Sequence, residues 1–274
     1  MTASEPTIPT QNPADQSSPH PALRVTRTPD LVTVTLCDPR TRNAQTPSLW
    51  LALAEVARSI GPGVRVVIID AEGESFSAGL HRGMLSPGGL PGEPPVLALA
   101  AGDRAVFLDA IAGFQEGFTA WAQIPAVVIA AVQGHAIGAG LQLALGADLR
   151  VVADDVAFAM REPSLGMIPD MGGTHPLVRL VGYARALEIC ATGRFVHADE
   201  AVRIGLATVA VPAGALGETA RELAGAMLAA HPGALRELKP LLQQAVDGDL
   251  ASQLRAEREA QARLLGAAMA APRE

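Results

Sequence analysis

Two stretches of the chain follow one plan. VRVVIIDAEGESFSAGL (64–80) and AVVIAAVQGHAIGAGL (126–141) each run from a β-branched segment through a glycine-bearing turn into Ala-Gly-Leu, where a helix is expected to open. Further strand-like runs recur at LVTVTLCD (31–38), LRVVADD (149–155) and ATVAVP (207–212). Between them lie helical patterns such as PSLWLALAEVARSI (47–60), entered through Thr46 and Pro47 and left at Gly61. Strands alternating with helices predict an α/β domain with largely parallel pairing, and the repeat predicts that its two turns sit side by side.

With 274 residues, 49% of them hydrophobic, the chain is long enough to bury a substantial core. A net charge of −7 with no basic cluster argues against a nucleic acid or an anionic membrane as partner, and favours a small-molecule role in the cytoplasm. Cys37 and Cys190 lie far apart and read as reduced thiols, and no residue pattern suggests a metal site. Residues 1–22, rich in Pro, Ser, Thr and Gln and free of Lys and Arg, read as a disordered tail rather than a signal or transit peptide. The uncharged stretch 117–147 is interrupted by Pro125, Gln133, Gly134, His135 and Gln142, which speaks against a membrane span. The Pro- and Gly-dense segment 85–102 reads as a mobile loop in a lid-like place, residues 23–212 as the α/β core, and residues 213–274 as a helical appendage.

Small residues at a helix start let a ligand oxygen approach unpaired backbone N–H groups and the positive end of the helix dipole. GAG at 138–140 fits that use, and FSAGL at 76–80 could aim a second N–H at the same spot. Two such donors would form an oxyanion hole. Either turn alone reads first as a place where glycine merely permits tight geometry; the pairing is what points to chemistry.

In order and spacing, SFSAGL (75–80), VQGHAIGAGLQLALGADLRVV (132–152), FAMREPSLGMIPDMGGTHPLVRLVG (158–182) and ATGRFVHADEAVRIGLATVAVP (191–212) resemble the motifs of the crotonase superfamily, the enoyl-CoA hydratase/isomerase family. The resemblance spans roughly residues 24–265. It implies a crotonase-like spiral of repeated ββα units and a C-terminal helical region that assembles homotrimers or homohexamers. It also implies an acyl-CoA substrate, with coenzyme A entering as part of the thioester and no separate cofactor.

Residue by residue, the resemblance assigns the backbone N–H groups of Leu80 and Ala139 to the thioester oxygen, with Ala78, Gly79, Gly138 and Gly140 shaping the two turns. Arg42, Asn43 and Ala44 match the segment along the nucleotide part of coenzyme A; Arg42 could contact phosphate, stack on adenine, or be a solvated surface arginine. His81 stands where many relatives carry Asp, and neither it nor His135 is assigned a chemical role.

Family hydratases use two Glu residues to hold and deprotonate a water. Here the second is Glu162, whereas the first position is Gln142, whose carboxamide binds water but takes no proton near neutral pH. One carboxylate suffices to move a proton from carbon 2 to carbon 4 of a 3-enoyl thioester, so double-bond isomerisation is favoured. Glu162 reads as its base rather than as an exposed loop acid beside Arg161. Asp170 is either a second carboxylate in the pocket or the cap of the helix opening at GGT. Hydration through Glu162 with Asp170 or Gln142, and a non-catalytic acyl-CoA-binding scaffold, are the alternatives.

Overall fold

In the computed structural model, residues 16–270 are described, beginning with an antiparallel meander of β1 (Gln16–His20), β2 (Leu23–Arg27) and β3 (Leu31–Leu36). Residues 16–20, expected to belong to a disordered tail, are a strand, its Ser17 opposite Val25; the rest of that expected tail, residues 1–15, lies outside the described residues. Next come α1 (Pro47–Arg58), β4 (Val66–Ala71), α2 (Val96–Ala101), α3 (Arg104–Gln123), β5 (Val127–Val132), β6 (His135–Ile137), α4 (Ala139–Gly146), β7 (Leu149–Ala153) and β8 (Ala157–Ala159). The chain ends through α5 (Thr174–Val181), α6 (Tyr183–Thr192), β9 (Val196–His197), α7 (Ala198–Arg203), β10 (Val209–Val211), α8 (Leu216–Leu228), α9 (Pro232–Ala245) and α10 (Leu250–Ala270).

The strands form a large sheet in the order β1-β2-β3-β4-β5-β7-β10, parallel from β3 to β10, and a small sheet β6-β8-β9. Parallel strands covered on both faces read as unbroken apolar runs, as β5 does throughout and β4 does from Val66 to Ile69, before Asp70. Val67, Ile69 and Val128 pack into the main core, while Val66, Ile68 and Ile129 face a second core completed by Leu216, Ala220 and Ala224 of α8. The α1–α3 layer closes the first face through Trp50, whose ring centroid lies 5.5 Å from that of Phe114 and 5.7 Å from that of Phe118.

The uncharged stretch around residue 130 resolves into the end of α3, two strands and α4. Among the described residues no helix is long and apolar enough to cross a membrane. Segment 85–102 is less irregular than expected, since α2 occupies its end, where Leu97, Ala98 and Leu99 supply a short helical apolar run. The helical C-terminus divides in two. α8 belongs to the core, whereas α9 and α10 pair with each other and leave Leu238, Leu242, Leu250, Leu254 and Leu265 exposed. Buried Lys239 ties α9 down: its ammonium donates to the carbonyls of Trp121 and Ala126 and pairs with Asp148 at 2.8 Å.

Candidate active site

The two repeated turns meet. Ser77 pairs with Ala136 in a parallel bridge, Ser77 N–H donating to the His135 carbonyl and Ile137 N–H to the Ser77 carbonyl, which sets the turns side by side as the repeat predicts. Gly79 then lies so close that a Cβ on it would stand 2.4 Å from the Ile137 oxygen, and its φ of +82° is one that L side chains rarely adopt. Gly138, at φ +53°, turns the chain from β6 into α4. Gly140 has a packing reason as well, because a Cβ there would come within 2.5 Å of the Ser77 carbonyl oxygen.

Only the second turn opens an α-helix. After Leu80 the chain enters a short 3-10 turn, Arg82–Leu85, capped by His81, whose Nδ1 accepts from Gly83 N–H. Leu80 lies opposite Gln45, with Gln45 N–H bonded to the Gly79 carbonyl and His81 N–H to the Gln45 carbonyl, so the Leu80 N–H is left out of the pairing. Ala139 N–H, as the first helical residue, likewise has no acceptor within its helix. Among the described residues neither N–H has a hydrogen-bond partner, which is the condition for both to serve an incoming oxygen.

The first turn is braced by groups that sequence reading missed. Ser77 Oγ donates to the Asn43 carbonyl at 2.7 Å and accepts from Gln45 Nε2 at 3.0 Å and Gly79 N–H at 3.2 Å, while Trp50 Nε1 donates to Gln45 Oε1 at 2.8 Å. Gln45 and Ser77 are fully buried, and no local periodicity marks them. The Asn43 side chain is buried, accepts from Asp38 N–H, and donates to the carbonyls of Glu72 and Ser75 at 2.9 Å. Its role is to hold two loops together. Arg42 is exposed and Ala44 half-buried, on the edge that pairs with Ala78 through the bond from Ala78 N–H to the Arg42 carbonyl.

Glu162 opens a 3-10 turn, Glu162–Leu165, directly after β8. Its carboxylate reaches the start of α4, where a Cβ on Gly138 would lie 3.1 Å from Oε1. Oε1 accepts from Gln142 Nε2 at 2.8 Å, and Oε2 is buried with no partner among the described residues. Burial holds the carboxyl above the usual carboxylate range. The bond from Gln142 and nearby backbone donors act against that rise, and the charge of Asp170 adds to it.

Gln142 is 1% exposed, and its Oε1 accepts from Met171 N–H at 2.9 Å and Gly173 N–H at 3.2 Å. Asp170 does not cap α5: that position belongs to Gly173, which makes no side-chain cap bond, and the donors at 171 and 173 are satisfied by Gln142. The Asp170 carboxyl, half-buried and raised chiefly by burial, instead lies near enough to Glu162 to oppose its ionisation. Gln115 of α3 donates to the Asp170 carbonyl at 2.7 Å and fixes that turn from the other side. Cys190 of α6 is a free, half-buried thiol held above its usual range by burial first and by the charge of Glu162 second.

At the far end of α4 the buried guanidinium of Arg150 donates to the carbonyls of Ala144, Ala147 and Leu206, meeting the negative end of the helix dipole. Burial pushes its pKa down to about 10, so it stays charged near neutrality. The helix whose N-terminus forms one half of the site is thereby anchored at its C-terminus.

A family model described as enoyl-CoA hydratase/isomerase matches residues 101–269. The carnitinyl-CoA dehydratases of Salmonella typhi and Citrobacter koseri are each 35% identical to the chain over 223 residues, covering 80% of this chain and 79% of the relative. Among solved structures, a Thermobifida fusca protein described as an enoyl-CoA hydratase, in complex with acetoacetyl-CoA, is 42% identical. It covers 89% of this chain and 95% of its own, at a TM-score of 0.86. The enoyl-CoA hydratase of Bacillus anthracis is 30% identical over 88% of this chain and 89% of its own, with a TM-score of 0.75. With the paired turns, the Glu162 carboxylate and these relatives in agreement, the chain is an enzyme of the enoyl-CoA hydratase/isomerase family, within the crotonase superfamily.

Proposed function

We propose that this enzyme moves the double bond of a 3-enoyl coenzyme A thioester into conjugation, using Glu162 as a single base. The carrying observation is the division of labour between Glu162 and Gln142: one buried, unpartnered carboxylate oxygen stands beside the paired turns, while the position that would activate water holds an amide already bonded on both ends. Glu162 takes a proton from carbon 2, the thioester oxygen gains charge between the N–H groups of Leu80 and Ala139, and the same proton returns to carbon 4 as the double bond moves to carbon 2. Atoms balance without water or any dissociable cofactor. The coenzyme A thioester is supported by the ligand of the Thermobifida fusca structure. Arg42 and Ala44, with Ala78 beside them, are proposed to lie along the nucleotide arm, and the exposed leucines of α9 and α10 to bury against neighbouring copies in a trimer or hexamer.

One observation favours a second reading. Asp170 is a second carboxyl near Glu162, and the curated relatives are dehydratases, so water addition through that pair is the competing reaction. A 3-enoyl thioester incubated with wild type and Glu162→Gln tests the proposal. Wild type gives the 2-enoyl product and the variant loses roughly 10²–10⁴-fold in rate, whereas an undiminished Glu162→Gln rate removes the assigned base.

A further inference from the structure

The amide of Gln142 has a fixed orientation. Two backbone N–H groups, from Met171 and Gly173, converge on one of its atoms, and only a carbonyl oxygen accepts two such bonds; the other atom is therefore the nitrogen, and it donates to Glu162 Oε1 at 2.8 Å. The side chain is 1% exposed and packs so closely on Gly173 that a Cβ there would lie 2.7 Å from the Gln142 Cγ. Consequently Oε1 of Glu162 carries a hydrogen bond in the resting enzyme, and Oε2, buried and unpartnered, is the free oxygen.

We infer that Gln142 is a positioning residue: it selects Oε2 of Glu162 as the proton-carrying oxygen and, through its own oxygen, locks the Asp170 turn in place. This deepens the reading of Glu162 as base and rests on it for its functional consequence. An amide suits this position better than a carboxylate for single-base chemistry. Its nitrogen favours the ionised form of Glu162, whereas a carboxylate there would repel it. The other ionisable groups facing Glu162 are Asp170, from the turn before α5, whose charge opposes its ionisation, and Cys190, from α6, a thiol that burial and the charge of Glu162 hold above its usual range and hence neutral.

Two variants separate positioning from mere structural support. Gln142→Glu retains an oxygen for Met171 and Gly173 but replaces the donor facing Glu162; Gln142→Met keeps the length and removes both functions. The primary readout is the titration of Glu162 itself, followed by isotope-edited infrared spectroscopy of ¹³C-glutamate-labelled protein, with Glu162→Gln identifying the band. In both variants the ionisation of Glu162 moves to higher pH. On the acid limb of the kcat profile this lowers turnover by about 10-fold, with KM unchanged, as loss of one hydrogen bond to a charged group would do. A Glu162 band that titrates at the wild-type pH in both variants overturns the inference, even if their melting temperatures fall. Because the infrared titration needs no turnover, it decides the role of Gln142 whether or not 3-enoyl thioesters are the substrate.

Discussion

Gly79 stands against Ile137 with no space for a side chain: a Cβ would lie 2.4 Å from the Ile137 carbonyl oxygen and 3.5 Å from the Ala139 nitrogen. The contact joins the two halves of the proposed oxyanion hole, so Gly79→Ala must push them apart. The expected loss is roughly 10²–10³-fold in kcat, the cost of one oxyanion donor, with a smaller effect on thioester affinity measured by calorimetry. An alanine variant with wild-type kcat would show that the turns are only packed together.

Glu162 is buried with one oxygen unpartnered, and its carboxyl is held above the usual range. A carboxylate raised on folding costs stability once it ionises, so the penalty is absent below its unfolded pKa, grows as pH rises towards the folded pKa, and is then constant. Glu162→Gln is accordingly expected to melt higher than wild type at neutral pH, with the gap closing as pH falls below the ordinary carboxylate range. A gap that is the same at every pH would place the effect outside the ionisation of Glu162.

Asp170 opposes the ionisation of Glu162 without hydrogen bonding to it. Asp170→Asn removes that charge and moves the acid limb of the kcat profile to lower pH, while turnover at neutral pH stays within a few-fold of wild type if Glu162 is the only base. A collapse of turnover at all pH values would make Asp170 a second proton carrier and favour the hydration reading.

Lys239 is the buried link between α9 and the core. Lys239→Ala leaves Asp148 and two carbonyls short of a partner, for which a cost of about 3–5 kcal/mol is expected in chemical denaturation. A loss confined to a few tenths would mean that α9 is held by other contacts.

Part of the candidate site is legible in the order of residues because the proposed chemistry calls on backbone and one acid. The repeat predicts that the two turns lie together, and the family resemblance points to Gln142 and Glu162, which the fold joins by a hydrogen bond. Less visible was what a side chain meets across the fold. Asp170 reads equally as a cap or a pocket acid until Gln142, 28 residues earlier, is seen to take the donors at 171 and 173. Asn43 reads as a ligand contact, yet the loops it joins begin 29 residues away at Glu72. The strand at Gln16–His20 was hidden by its composition, since Ser, Pro and Gln carry no strand signal and its order comes from pairing with β2.

Glu162 either shuttles a proton or activates water. Incubating the wild-type enzyme with 3-enoyl and 2-enoyl thioesters in H₂¹⁸O, with products read by mass spectrometry, separates the two most directly. The prediction is conversion of the 3-enoyl thioester to its 2-enoyl isomer without ¹⁸O, with little change to the 2-enoyl thioester supplied directly. Rapid formation of an ¹⁸O-labelled hydroxyacyl thioester from either substrate, faster than isomerisation, would contradict it.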